Sequence, residues 1–151
     1  MIHRESRDKL AEALRQYTSC KKTNDDLDCV AVDWRDRGAV AVQDVSWRLY
    51  DDMYTHKAKG KHQISGKERD DIARCILFLY SDTEYLWPEY PFRSRISTLF
   101  NLLSLGRWKI LKQKRFAEFK EAGNFSIWPF ASDEQYEEAL KSPRLLISKY
   151  T

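Results

Sequence analysis

The chain has 151 residues, the length of one ordinary domain, enough to bury a core without staples. Five Gly and four Pro are too few for an all-β fold built on many tight turns, while 42% apolar and 13% aromatic residues supply ample material for burial. The charged residues, 32% of the chain, nearly balance at a formal +3, which excludes an acidic disordered tail and demands no nucleic-acid partner.

The first predicted helix runs from about Ser6 to Ser19, where Leu10, Leu14 and Tyr17 recur at i, i+4 and i+7 as one apolar stripe. Thr23-Asn24-Asp25-Asp26 follows, a polar cluster suited to capping a short helix. Asp25, Asp26, Asp28, Asp33 and Asp36, set against Arg35 and Arg37, read as that short helix plus an exposed acidic loop. From Ala39 to His56, Val40, Val42, Val45, Trp47, Leu49, Tyr50, Met53 and Tyr54 cover more than half of a helical circumference. So wide a stripe predicts a central helix with Trp47 buried.

A basic connection, Lys57 to Gln63, leads to Ser65-Gly66-Lys67-Glu68, a capping box that opens a helix ending near Asp82. Its nearly continuous apolar segment from Ile72 to Tyr80 places Leu77, Phe78 and Cys75 in the core. Pro88 and Pro91 interrupt an aromatic loop from Tyr85 to Phe92. Beyond it a helix is expected over Arg93 to Leu103, then Gly106, then a helix from Arg107 to Ala122 with Trp108, Leu111, Phe116 and Phe119 on one arc. Gly123 has the position of that helix's C′ stop. Asn124 to Ala131 reads as an extended segment pinned by aromatics, and Ser132 to Gln135 as a second capping box opening a short helix that Pro143 ends. The predicted fold is one all-α, or nearly all-α, domain over residues 1–151 with five to six helices, the central pair being 39–56 and 65–82.

Cys20, Cys29 and Cys75 form no CxxC and are odd in number, which suits a reducing compartment. The N-terminus lacks the apolar stretch of a signal peptide, and the longest apolar run, Ile76 to Tyr80, is too short to span a bilayer. The expectation is a cytoplasmic protein with no membrane partner.

Several segments together carry a resemblance. They are Trp47-Arg48-Leu49-Tyr50-Asp51-Asp52, Gly60-Lys61-His62, the run from Ala73 to Asp82, Tyr85 with Trp87-Pro88, and Gly123 followed by Trp128-Pro129-Phe130. Over roughly residues 8–144 the chain resembles a widespread group of small bacterial proteins of about this length. That group is similar in size and style to the immunity proteins encoded beside polymorphic or contact-dependent toxins. The resemblance implies a stoichiometric protein-binding role and carries over no individual catalytic or binding residue.

The residues themselves offer little chemistry. Asp52 and His56 stand at i, i+4, but no second ligand pair accompanies them, so neither a metal nor another cofactor is expected. No Gly-x-Ser-x-Gly, phosphate-binding Gly loop or activated Cys motif occurs. The adjacent carboxylate pairs Asp25/Asp26, Asp51/Asp52 and Asp70/Asp71 would point about 100° apart on a helix and so do not converge. The chain is therefore not expected to be an enzyme. Two binding surfaces remain. The first, for a cognate toxin encoded by a neighbouring gene, is the acidic segment with Asp25, Asp26, Asp28, Asp33 and Asp36, or alternatively the aromatic loop from Tyr85 to Phe92 around Trp87. The second, for nucleic acid, is the basic helix bearing Arg107, Lys109, Lys112, Lys114 and Arg115.

Overall fold

The computed structural model describes residues 1–50, 53–88 and 107–141, with the side chains of 107–112 excepted. These residues form an all-α fold of six α-helices linked by turns, with no strand among them. The helices are α1 (Arg4–Thr18), α2 (Asn24–Asp28), α3 (Arg37–Ser46), α4 (Gly66–Tyr80), α5 (Arg107–Glu121) and α6 (Asp133–Lys141).

The axis of the fold is the α1–α4 pair, against which α2, α3 and α6 pack. The expected stripe of α1 is its buried face: Leu10, Ala11, Leu14 and Tyr17 are shut off from solvent. On α4, Leu77, Phe78 and Leu79 meet them, and Cys75 lies in the same core as a small buried thiol. Burial pushes that thiol up to about 12, so it stays protonated and behaves as a hydrophobe. Helix α4 starts where the capping box puts it: Ser65 Oγ accepts from the Glu68 N–H, and the Glu68 carboxylate accepts from the Ser65 N–H. The last turn of α1 closes with the Cys20 N–H on the Tyr17 carbonyl and the Lys21 N–H on the Gln16 carbonyl. This is the Schellman arrangement, and Cys20 holds a left-handed φ of 58° at the position that favours glycine.

Three predicted elements differ. The helix expected over 39–56 starts at Arg37 and ends at Ser46; a 3-10 helix, Trp47–Leu49, follows and Tyr50 is extended. Ser46 Oγ turns back to the Gln43 carbonyl, and residues 54–56 are taken by a tertiary partner, the Asn24 side chain and backbone. In consequence Trp47 is 43% exposed instead of buried, and α1 takes the central place beside α4. The segment expected to be extended at 124–131 contains a 3-10 helix, Phe125–Ile127, before a cis peptide joins Trp128 to Pro129. Ser132 supplies only half a capping box: its Oγ accepts from the Gln135 N–H, but Gln135 Oε1 accepts from the Ala131 N–H.

Gly123 ends α5 for a different reason from the one predicted. A Cβ there would sit 2.7 Å from the Ala131 carbonyl oxygen and 3.2 Å from the Trp87 ring, so close approach, and not a left-handed backbone, requires glycine. The helix expected over 93–103, Gly106 and the Pro143 stop lie outside the described residues. Among those residues no helix is long and apolar enough to cross a membrane.

Candidate protein-binding surface

The aspartates of the 25–36 segment have diverse structural roles. Thr23 caps α2 with its side chain on the Asp26 N–H, and the Asp26 carboxylate accepts from the Thr23 N–H in return. Those hydrogen bonds from Thr23, backbone first, hold the Asp26 carboxyl below its usual range, with Lys22 and Lys57 near enough to add to the effect. Asp25 accepts from the Thr55 hydroxyl. Asp28 is exposed at the end of α2. Asp33 accepts from the Arg35 side chain, with Nη2 at 2.6 Å, and from the Arg35 N–H; these bonds hold it well below the usual carboxylate range.

Asp36 is not available to a partner. It is 1% exposed and forms a two-pronged ion pair with buried Arg7, Nε to Oδ2 at 2.7 Å and Nη2 to Oδ1 at 3.1 Å. Its carboxylate also caps α3 through the Gly38 and Ala39 N–H groups and accepts from the His3 N–H. Burial works to raise its pKa, but the Arg7 hydrogen bonds and these N–H donors outweigh burial and leave it lowered. The exposed acidic loop of the sequence reading is thus corrected at this residue: the charge is a core keystone.

Trp87 is corrected likewise. It is 1% exposed, its Nε1–H donates to the Phe130 carbonyl at 3.1 Å, and its ring lies 5.0 Å from that of Phe119. Of the aromatic loop, Tyr85 and Trp87 are buried in the chain's own core, Leu86 is exposed, and residues 89–92 lie outside the described residues. Of the basic-helix residues, Lys114 and Arg115 are exposed on α5, with the Lys114 Nζ 4.0 Å from Glu118. Arg107, Lys109 and Lys112 belong to α5, but their side chains lie outside the described residues. Asp51 and Asp52, including the Asp52–His56 spacing, also lie outside them.

What the structure brings together is α2 and the segment 54–56. Asn24 is fully buried; its N–H donates to the His56 carbonyl at 3.0 Å, its Nδ2 to the Tyr54 carbonyl at 3.2 Å, and its Oδ1 accepts from the His56 N–H at 2.7 Å. This clamp sets Asp25 against Thr55; Met53 and Tyr54, just before it in the chain, are 76% and 62% exposed. Trp47 and Tyr50 wall a small crevice with Asp28 and Leu27 of α2. A second cleft, about 540 Å³, opens between Tyr17, Arg48, Tyr50, His56, His62 and Glu68. There the His56 and His62 rings stack 3.7 Å apart with planes 7° from parallel. Lone pairs in parallel planes do not meet at one ion, and among the described residues no group of three metal-ligating side chains occurs.

No family model, curated protein or solved structure matches the chain. Sequence reasoning missed Trp47, Met53 and Tyr54 as surface residues because the helical period assigned them inward. It also passed over Trp34, which is 74% exposed. The available signal for Trp34 was its setting: a lone Trp flanked by charges in Asp33-Trp34-Arg35-Asp36, outside any apolar stripe.

Proposed function

We propose that the chain is an immunity-type protein that neutralises a bacterial toxin from a neighbouring gene by one-to-one binding and occlusion in the cytoplasm, without enzymatic turnover. The observation that carries this reading is the clamp of α2 on residues 54–56, which sets Asp25 against Thr55, next along the chain to exposed Met53 and Tyr54, with exposed Asp28 at the end of the same helix. Carboxylates beside aromatic and thioether side chains suit a partner surface that is cationic at its rim and apolar at its centre. Lys57 and Lys22 close to Asp26, and Lys61 5.5 Å from the Tyr54 ring, temper the acidity, so apolar contact supplies the anchor and charge supplies register.

The test is co-expression with the toxin domain encoded beside this chain, scored by growth. Wild type restores growth. Tyr54→Ala combined with Met53→Ala loses protection, and Asp28→Lys weakens it at unchanged melting temperature, because an exposed charge adds little to stability. Failure of wild type to rescue and to bind overturns the reading. Full rescue by all variants relocates the surface.

A further inference from the structure

We propose that the crevice between α2 and the 3-10 helix Trp47–Leu49 receives the ammonium group of a lysine side chain on the partner, with Asp28 as its counter-charge and the Trp47 and Tyr50 rings as walls; the inference rests on the protein-binding reading above.

Asp28 is the exception among the aspartates of its segment. Asp25 accepts from Thr55, Asp26 from Thr23, Asp33 from Arg35 and Asp36 from Arg7. The Asp28 carboxylate is exposed and has, among the described residues, neither a hydrogen-bond donor nor an ion-pair partner. It borders a crevice whose amide and hydroxyl side chains are already engaged: Asn24 on residues 54–56, Gln43 Nε2 on the Val30 carbonyl at 2.6 Å, and Ser46 Oγ on the Gln43 carbonyl at 2.7 Å. A group entering there meets an uncompensated negative charge, so it is a cation. The walls select the same sign, because the face of an aromatic ring carries negative potential and attracts an ammonium.

Size selects among cations. The crevice has a volume of about 10 Å³, room for one water-sized group. A lysine ammonium is that compact, whereas the planar fork of a guanidinium is wider. The apolar stem of the lysine would then cover part of Trp47, which is 43% exposed. The parts are also held in place before binding. Asn24 ties α2 to residues 54–56, and Gln43 ties α3 to the chain just after α2. Docking therefore orders the lysine and little else.

The test has two arms. In the first, n-butylammonium chloride, which reproduces the end of a lysine side chain, is titrated into the isotope-labelled chain against equal sodium chloride. The nuclear magnetic resonance signal of the Trp47 indole N–H, assigned with Trp47→Phe, is expected to move saturably. It is expected to stay still with n-butanol, and with n-butylammonium in Asp28→Asn, which melts with wild type. In the second arm, calorimetric titration of the toxin domain from the neighbouring gene is expected to show binding about tenfold weaker for Asp28→Asn and about fivefold weaker for Trp47→Leu. No movement with n-butylammonium, equal movement with n-butanol, or movement retained in Asp28→Asn overturns the slot. An equal response to n-butylguanidinium overturns the choice of lysine. A lowered melting temperature for Asp28→Asn gives the carboxylate a partner in its own chain and overturns the inference. Toxin binding by Asp28→Asn equal to that of wild type overturns the slot and leaves the protein-binding reading standing. An ammonium response with no toxin binding by wild type overturns that reading and the partner lysine together, and assigns the crevice to a free amine.

Discussion

At the scale of single residues, the Arg7–Asp36 pair is the most consequential feature. Both side chains are 1% exposed, and the rest of the Arg7 guanidinium is occupied: Nη1 donates to the Ser81 and Thr83 carbonyls, and Cζ lies 4.8 Å from the centre of the Phe78 ring. Removing one partner leaves a buried charge uncompensated, so Arg7→Ala or Asp36→Ala is expected to cost about 3–5 kcal/mol in urea unfolding. The pair also sets a pH limit. Asp36 has a folded pKa below its ordinary 3.8. Its contribution is thus complete above that ordinary value and is lost as pH falls from there through the lower folded value. Unfolding curves at pH 7 and near pH 3 should show this loss in wild type and less of it in Asp36→Asn. A flat response in wild type would contradict the assignment. Gly38 belongs to the same knot, since a Cβ there would lie 2.8 Å from the Phe78 ring and 2.9 Å from Arg7 Nη2. At the far end of the core, Gly123→Ala would press on the Ala131 backbone and is expected to cost about 1–3 kcal/mol by thermal melting.

At the scale of elements, Asn24 decides the local fold. Asn24→Ala removes both side-chain bonds to segment 54–56 and is expected to cost about 1–3 kcal/mol, with faster hydrogen exchange at the His56 N–H. Unchanged exchange there would mean that something else holds the segment. This element also shows where sequence reasoning succeeds and where it stops. Helices α1 and α4 were legible because local signals agree: one stripe from Leu10 to Tyr17, and a Ser65–Glu68 box before an apolar run. The end of α3 was not, because apolar residues continue in helical register to Tyr54 while the chain is captured by Asn24, 30 residues earlier. Burial of Asp36 was equally hidden: an Asp in a charged loop looks solvated until Arg7 arrives from α1. For the basic helix, the protein-binding account expects no electrophoretic shift of single- or double-stranded probes at micromolar protein and low salt. A salt-sensitive shift lost in Lys109→Glu with Lys114→Glu would favour the nucleic-acid alternative.

At the scale of the whole molecule, the charged residues of the 25–36 segment divide between two tasks. Asp36, Asp33 and Asp26 hold the fold, the turn and the cap, Asp25 accepts from Thr55 in the segment that follows exposed Met53 and Tyr54, and Asp28 is left exposed at the end of α2. A rigid α1–α4 frame presenting such a face suits a binder that acts by occupying its partner. Stoichiometric occlusion is the central claim, and titrating the chain into a fixed amount of the neighbouring toxin domain while following residual toxin activity tests it most directly. The account predicts a linear fall to zero at one chain per toxin. Complete inactivation at a small fraction of an equivalent, or undiminished activity in excess chain, would contradict it.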